Sequence, residues 1–260
     1  MPQDDQSGTY DRREFAATPT DVLAGRVISA LNETKLRNSD GTRQILLDLL
    51  VCSVLSADPF EAKQMFAELR GHGLSADTIL DIYIPNAARD LGQKWVEDKI
   101  SFAAVTIGTL RLQSLLDQVV LHPHFESNAA TKHLRAIVVL PPGEQHFLGV
   151  NVVAAQLRRI GCDVSISFDE TPETLTSRVT ETQPDVVLIT CSRNESLSTI
   201  SATVRAIRRA GARDPLIALG GAITRDTENL EEQTGVDLVS NSAKAAAAAC
   251  MRRSRILAPR

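Results

Sequence analysis

An α/β chain in two parts is predicted: four helices first, then a doubly wound, flavodoxin-like sheet of five parallel strands. Two observations predict it. From residue 42 to about 120 apolar residues recur at spacings of three and four, the period of amphipathic helices. From 134 onward short β-branched runs alternate with helical stretches, as in repeated βα units of a parallel sheet. The length of 260 residues suffices for two domains of ordinary size.

Residues 1–20 are polar, rich in Asp, Gln, Ser, Thr and Arg, and are expected to be disordered. Residues 21–36 carry Val22, Leu23, Val27, Ile28 and Leu31 at helical spacing, and Asn38 to Gly41 break the pattern. The first bundle helix carries Ile45, Leu46, Leu49, Leu50, Val54 and Leu55. Asp58-Pro59 reads as an N-cap followed by proline at the first helical position, starting a second helix that stops at Gly71-His72-Gly73. Ser75 caps a third helix to Leu91, with a kink or broken start at Pro85. Ser101 caps a fourth, with Phe102, Val105, Leu112, Leu116 and Val119 on one face. The helical domain is thus 21–120, and residues 121–133 have linker composition. In the sheet domain, 134–255, strands are expected at 135–140, 163–168, 185–190, 215–219 and 236–239. Helices are expected near 148–160, 172–182, 196–210, 225–233 and 243–254, the last favoured by the alanine run 245–249.

A net charge of −4 gives no global attraction to nucleic acid or anionic membrane. No apolar run approaches the ~20 residues of a membrane span, and the acidic N-terminus is no signal peptide, so a cytoplasmic location is expected. Four cysteines lack CxxC spacing; Cys52, Cys162 and Cys191 read as core thiols and Cys250 as the more exposed one. The arginines at 205, 208, 209 and 213 read as a solvated face.

Chemistry is expected at the carboxyl edge of the sheet, where open parallel sheets bind ligands. After the first strand come Gly143, Glu144, Gln145, His146, Phe147, Leu148 and Gly149. A loop histidine beside a carboxylate is suited to hold a transition metal, although such a histidine often only hydrogen-bonds. The third strand ends in Thr190-Cys191-Ser192, the fourth in Gly220-Gly221, and Val239-Ser240 closes the fifth. Glycine pairs let a large ligand approach the backbone, but turns after strands are Gly- and Ser-rich in any case. A phosphorelay receiver is excluded because Pro141-Pro142 and Thr190 stand where acidic residues are needed. No GxGxxG follows the first strand, and neither a Ser-His-Asp order nor HExxH spacing occurs. His122-x-His124 reads as linker.

The loop Glu144-x-His146-x-x-Gly149 resembles the DxHxxG signature of cobalamin-binding Rossmann-like domains. The resemblance implies that His146 is the lower axial ligand to cobalt, oriented by Glu144 in place of the signature's Asp. It implies that Thr190 and Ser192 match a motif that contacts the buried nucleotide tail. It also implies that Gly220-Gly221 is the GG motif and that Gly235-Val236-Asp237 corresponds to GAD. The helical part is similar to the four-helix cap of these proteins. There the residues expected near the cofactor's upper face are Trp95, Phe102, Val105 and Thr106; the last two stand where adenosyl-specific members carry Glu-His.

Within that family, Trp95 to Gln113 most resembles the photosynthesis-gene antirepressors of the AerR/PpaA type, with kinship to CarH and to the haem-binding SCHIC variant. The resemblance implies a non-enzymatic, light-responsive transcriptional regulator that binds a repressor of the CrtJ/PpsR type, with any DNA association indirect. Two other readings stay open, a haem-binding sensor of the same fold and a corrinoid carrier for a methyltransferase. A cofactor-free interaction module is the plainest alternative.

Overall fold

The computed structural model describes residues 39–122, 134–211 and 214–257. The expectations for the N-terminal segment 1–38, most of the linker including His124, and Arg213 lie outside them.

Helices α1 (Ser39–Leu55), α2 (Ala62–Gly71), α3 (Ala76–Thr78), α4 (Ile84–Val96) and α5 (Phe102–Val120) form the bundle. Its core is almost wholly aliphatic, with Leu50, Leu69, Ile79, Leu91, Leu112 and Leu115 fully buried. Ser101 caps α5 by accepting from the Ala104 amide, and Ser75 caps α3 by accepting from the Thr78 amide. Between α3 and α4 the chain passes through a π-helical stretch, Ile79–Tyr83, so the break expected at Pro85 lies just upstream of it.

Several boundaries differ from the sequence reading. Asp58 does not cap the second helix, which starts at Ala62 behind Glu61. The Asp58 carboxylate accepts instead from Ser56 Oγ, 2.9 Å away. Arg111 gathers the carbonyls of Val54, Ser56 and Asp58, holding that segment as a loop. The first helix begins at Ser39 and runs through Gly41, and the third helical stretch continues past Leu91 to Val96.

Strands β1 (Arg135–Leu140), β2 (Asp163–Phe168), β3 (Val186–Thr190), β4 (Leu216–Gly220) and β5 (Leu238–Val239) form one sheet in the order β2-β1-β3-β4-β5. Every pairing is parallel, so the expected doubly wound architecture is present. Helices α6 (Phe147–Arg159) and α11 (Ala243–Leu257) cover one face, while α7 (Pro172–Thr182) and α8 (Leu197–Arg209) cover the other. The single helix expected at 225–233 is two, α9 (Ile223–Asp226) and α10 (Leu230–Thr234). Thr227 is extended and Asn229 is left-handed at φ +56°, so no helix can run through them.

Cys52 and Cys250 exchange the places expected of them. Cys52 is exposed, and Cys250 is buried under the sheet with Ala246 and Ala247. The arginine face is also more engaged than expected. Arg208 pairs with Asp214 and Asp237, and Arg253 of α11 pairs with both as well. Asp237 Oδ2 further accepts from the Ile217 amide at 2.7 Å. No helix among the described residues is long and apolar enough to cross a membrane.

The two halves meet along α6. Leu148, Val152 and Ala155 insert into the bundle core. Asn151 donates to Gln113 Oε1 at 3.0 Å. Toward the far end of α6, Gln156 and Arg159 hold Asp81 at 3.0 and 2.8 Å, and Arg159 also reaches Asp77.

Candidate functional site

Strand β1 ends at Leu140, and the turn through Gly143, at φ +80°, brings the next residues across the carboxyl edge of β3. Arg193 donates to the Gly143 carbonyl and fastens this turn. Glu144 points inward, and its side chain is fully buried. Its Oε1 accepts from the Ser192 amide at 3.1 Å and from Ser196 Oγ at 2.8 Å. Its Oε2 accepts from Ser192 Oγ at 2.5 Å. Burial by itself raises the pKa of this carboxyl. The nearby His146 imidazole and hydrogen bonds from Ser192 and Ser196 outweigh that and hold it well below the usual carboxylate range. A buried carboxylate is tolerated only when its lone pairs are taken up in this way.

His146 is the residue before α6, and its side chain is two-thirds exposed. Nδ1 faces inward, 2.9 Å from Ser192 Oγ and 3.6 Å from Glu144 Oε2. Among the described residues no hydrogen bond is made to Nε2. Gly149 lies one turn further on, and a Cβ there would meet nothing within 4 Å. Gln145 and Phe147 are exposed beside it, with Phe147 against Phe168 of β2 at 5.4 Å between ring centroids. Leu148 is buried in the bundle core.

The other expected residues fall into separate groups. Thr190 Oγ1 donates to the Val139 carbonyl across the β1–β3 pair. Gly221, at φ +105°, lies so close to β3 that a Cβ would stand 2.2 Å from the Cys191 carbonyl oxygen. A Cβ on Gly220 would stand 2.8 Å from the Ser240 carbonyl oxygen. This pair is therefore required by backbone packing within the fold itself. Val239 and Ser240 are half-buried beside it. In the bundle, Trp95 and Phe102 are both exposed and pack on each other at 6.2 Å. Val105 packs against the bundle core, and the Thr106 hydroxyl donates to the Phe102 carbonyl.

Sequence reasoning missed Ser196 as a partner of Glu144; 52 positions separate them, and only the fold joins them. Cys191 is also in this cluster, its thiol pushed up to about 11 by burial and by the neighbouring Glu144.

Among the described residues no three of His, Cys, Asp or Glu cluster to hold a metal ion. A lone outward imidazole suits a metal that brings most of its own ligands. The family model described as the B12 binding domain matches residues 134–250. A Rhodobacter capsulatus protein, described as an uncharacterized 20.5 kDa protein in the bchF-crtJ intergenic region, is 33% identical over 177 residues. That match spans 68% of this chain and 92% of the relative. The monomethylamine corrinoid protein of Methanosarcina barkeri shares the fold at a TM-score of 0.65 and 16% identity, over 80% of this chain and 96% of that one. Cobalamin is accordingly the cofactor for which residues 134–250 are built, and this part of the chain belongs to the B12-binding domain family.

Proposed function

We propose that this protein is a cobalamin-dependent, light-responsive regulator that acts by binding a transcriptional repressor of the CrtJ/PpsR type. The observation that carries the cofactor half is the outward Nε2 of His146, fixed from behind by Ser192 and Glu144. His146 would hold the cobalt of a bound cobalamin, Glu144 would stabilise the imidazole from the buried side, and Gly149 would leave room for the cofactor, since a Cβ there meets nothing within 4 Å. Gly220, Gly221 and Ser240 would line the side of the site that takes the cofactor's nucleotide tail, and the exposed Trp95–Phe102 pair of the cap would cover the cofactor. Bound cobalamin supplies visible absorption and an exchangeable upper ligand. The regulatory half is supported by the relative in the bchF-crtJ intergenic region, since crtJ names the repressor type that the sequence resemblance implies.

The test is an absorption spectrum of protein loaded with cobalamin, recorded dark and after white light, beside the His146→Ala variant. Corrin bands that shift on illumination, one cobalt per chain, and loss of both in the variant are expected. Light-dependent capture of a CrtJ/PpsR-type repressor follows from the same reading. A Soret band would replace this reading with the haem sensor. Methyl transfer from methylcobalamin without repressor capture would replace it with the carrier.

A further inference from the structure

The carboxylate and the imidazole stand too far apart to bond directly. Glu144 Oε2 and His146 Nδ1 are 3.6 Å from each other, beyond good hydrogen-bond length. Ser192 Oγ fills the gap, 2.5 Å from Oε2 and 2.9 Å from Nδ1. A serine hydroxyl has one proton and two lone pairs. Glu144 already accepts from the Ser192 amide and from Ser196 Oγ, and a carboxylate can only accept. The Ser192 proton therefore goes to Glu144, and its lone pair receives Nδ1–H. That arrangement leaves the lone pair of His146 on Nε2, facing outward.

Ser192 is itself anchored through the backbone. Its amide is tied to Glu144, and the preceding residue, Cys191, donates its amide to the Gly220 carbonyl at 2.9 Å. Ser196 provides an internal control, because it bonds the same carboxylate and makes no hydrogen bond to the imidazole.

We propose that Ser192 is the positioning residue of the axial histidine, a hydroxyl inserted between Glu144 and His146 that sets the ring's tautomer and direction. It is then not a contact of the nucleotide tail, the role implied by its place in the Thr190-x-Ser192 motif. The proposal rests on His146 being the axial ligand. The longer side chain of Glu144 makes the insertion possible, since the carboxylate can turn toward β3 and α8 and reach both serines.

The test uses the full chain with its histidines labelled with nitrogen-15, loaded with hydroxocobalamin and then reduced to cob(II)alamin. Electron paramagnetic resonance reads the nitrogen bound to cobalt. A labelled histidine splits the cobalt lines into doublets, and unlabelled nitrogen into triplets. Doublets are expected in the parent protein, in Ser192→Thr and in Ser196→Ala. Ser192→Ala is expected to lose most of the doublet signal and to bind hydroxocobalamin about 10-fold to 100-fold more weakly, the usual effect of removing a partner of a metal-bound histidine. If that variant does not fold, Ser192→Cys fills the same space with a poorer donor and is expected to show the same loss.

Doublets that survive undiminished in Ser192→Ala overturn the positioning role. Weakened binding with undiminished doublets overturns it too, and points back to the nucleotide tail. Triplets in the parent protein overturn the axial-ligand reading itself, a failure distinct from either.

Discussion

Gly221→Ala puts the reading of the glycine pair to a direct test. At φ +105° an L-residue is strained, at a cost of about 1–3 kcal/mol. The added Cβ would also stand 2.2 Å from the Cys191 carbonyl oxygen and 2.8 Å from its amide nitrogen. Neither atom can yield cheaply. The carbonyl accepts from the Ile223 amide at 3.2 Å, and the amide donates to the Gly220 carbonyl at 2.9 Å. Relieving such an overlap costs a further ~1–3 kcal/mol. The sum, about 2–6 kcal/mol, lowers the melting temperature by roughly 5 °C or more for a chain of this size. The assay is thermal unfolding of the cofactor-free protein followed by circular dichroism. Gly149→Ala is the matched control, since its Cβ enters open space on a helix; it is expected to leave stability unchanged or raise it by up to ~1 kcal/mol. A Gly221→Ala protein melting within about 1 °C of the parent would refute the packing argument and leave the pair to the ligand alone.

The thiols offer a second check. One cysteine, Cys52, is expected to react with Ellman's reagent in the native protein and all four in urea; two fast thiols, or none, would contradict the placement of Cys52 and Cys250. A third concerns Asp237, whose carboxylate serves the Ile217 amide, Arg208 and Arg253 together. Asp237→Asn is expected to lower the unfolding free energy by about 1–2 kcal/mol, discounted for partial exposure, seen as a lower urea midpoint with an unchanged slope, and the loss should shrink in high salt.

The strands were legible because β-branched runs such as Ile137-Val138-Val139 have one plausible place in a soluble chain, a sheet covered on both faces. Ser75 and Ser101 were legible as caps because their partners lie three residues away. Asp58 misled because the same local signal is satisfied there by Ser56, two residues back, and by an arginine 53 positions on. The π-helical stretch left no mark, since Ile79, Leu80, Tyr83 and Ile84 fit an ordinary helical stripe equally well. At the site, His146 and Glu144 stood out because only Gln145 separates them in sequence. The two serines that hold Glu144 are joined to it only through the β1–β3 pairing and the start of α8.

Helix α6 begins one residue after His146 and is clamped near its other end, through Gln156 and Arg159, to Asp77 and Asp81 of the bundle. Thirteen residues of helix make a strut about 20 Å long. No loop intervenes along it to take up slack. A tilt of the imidazole that carries the start of α6 with it is therefore delivered to the bundle at Asp77 and Asp81, as a stiff lever delivers displacement from one end to the other.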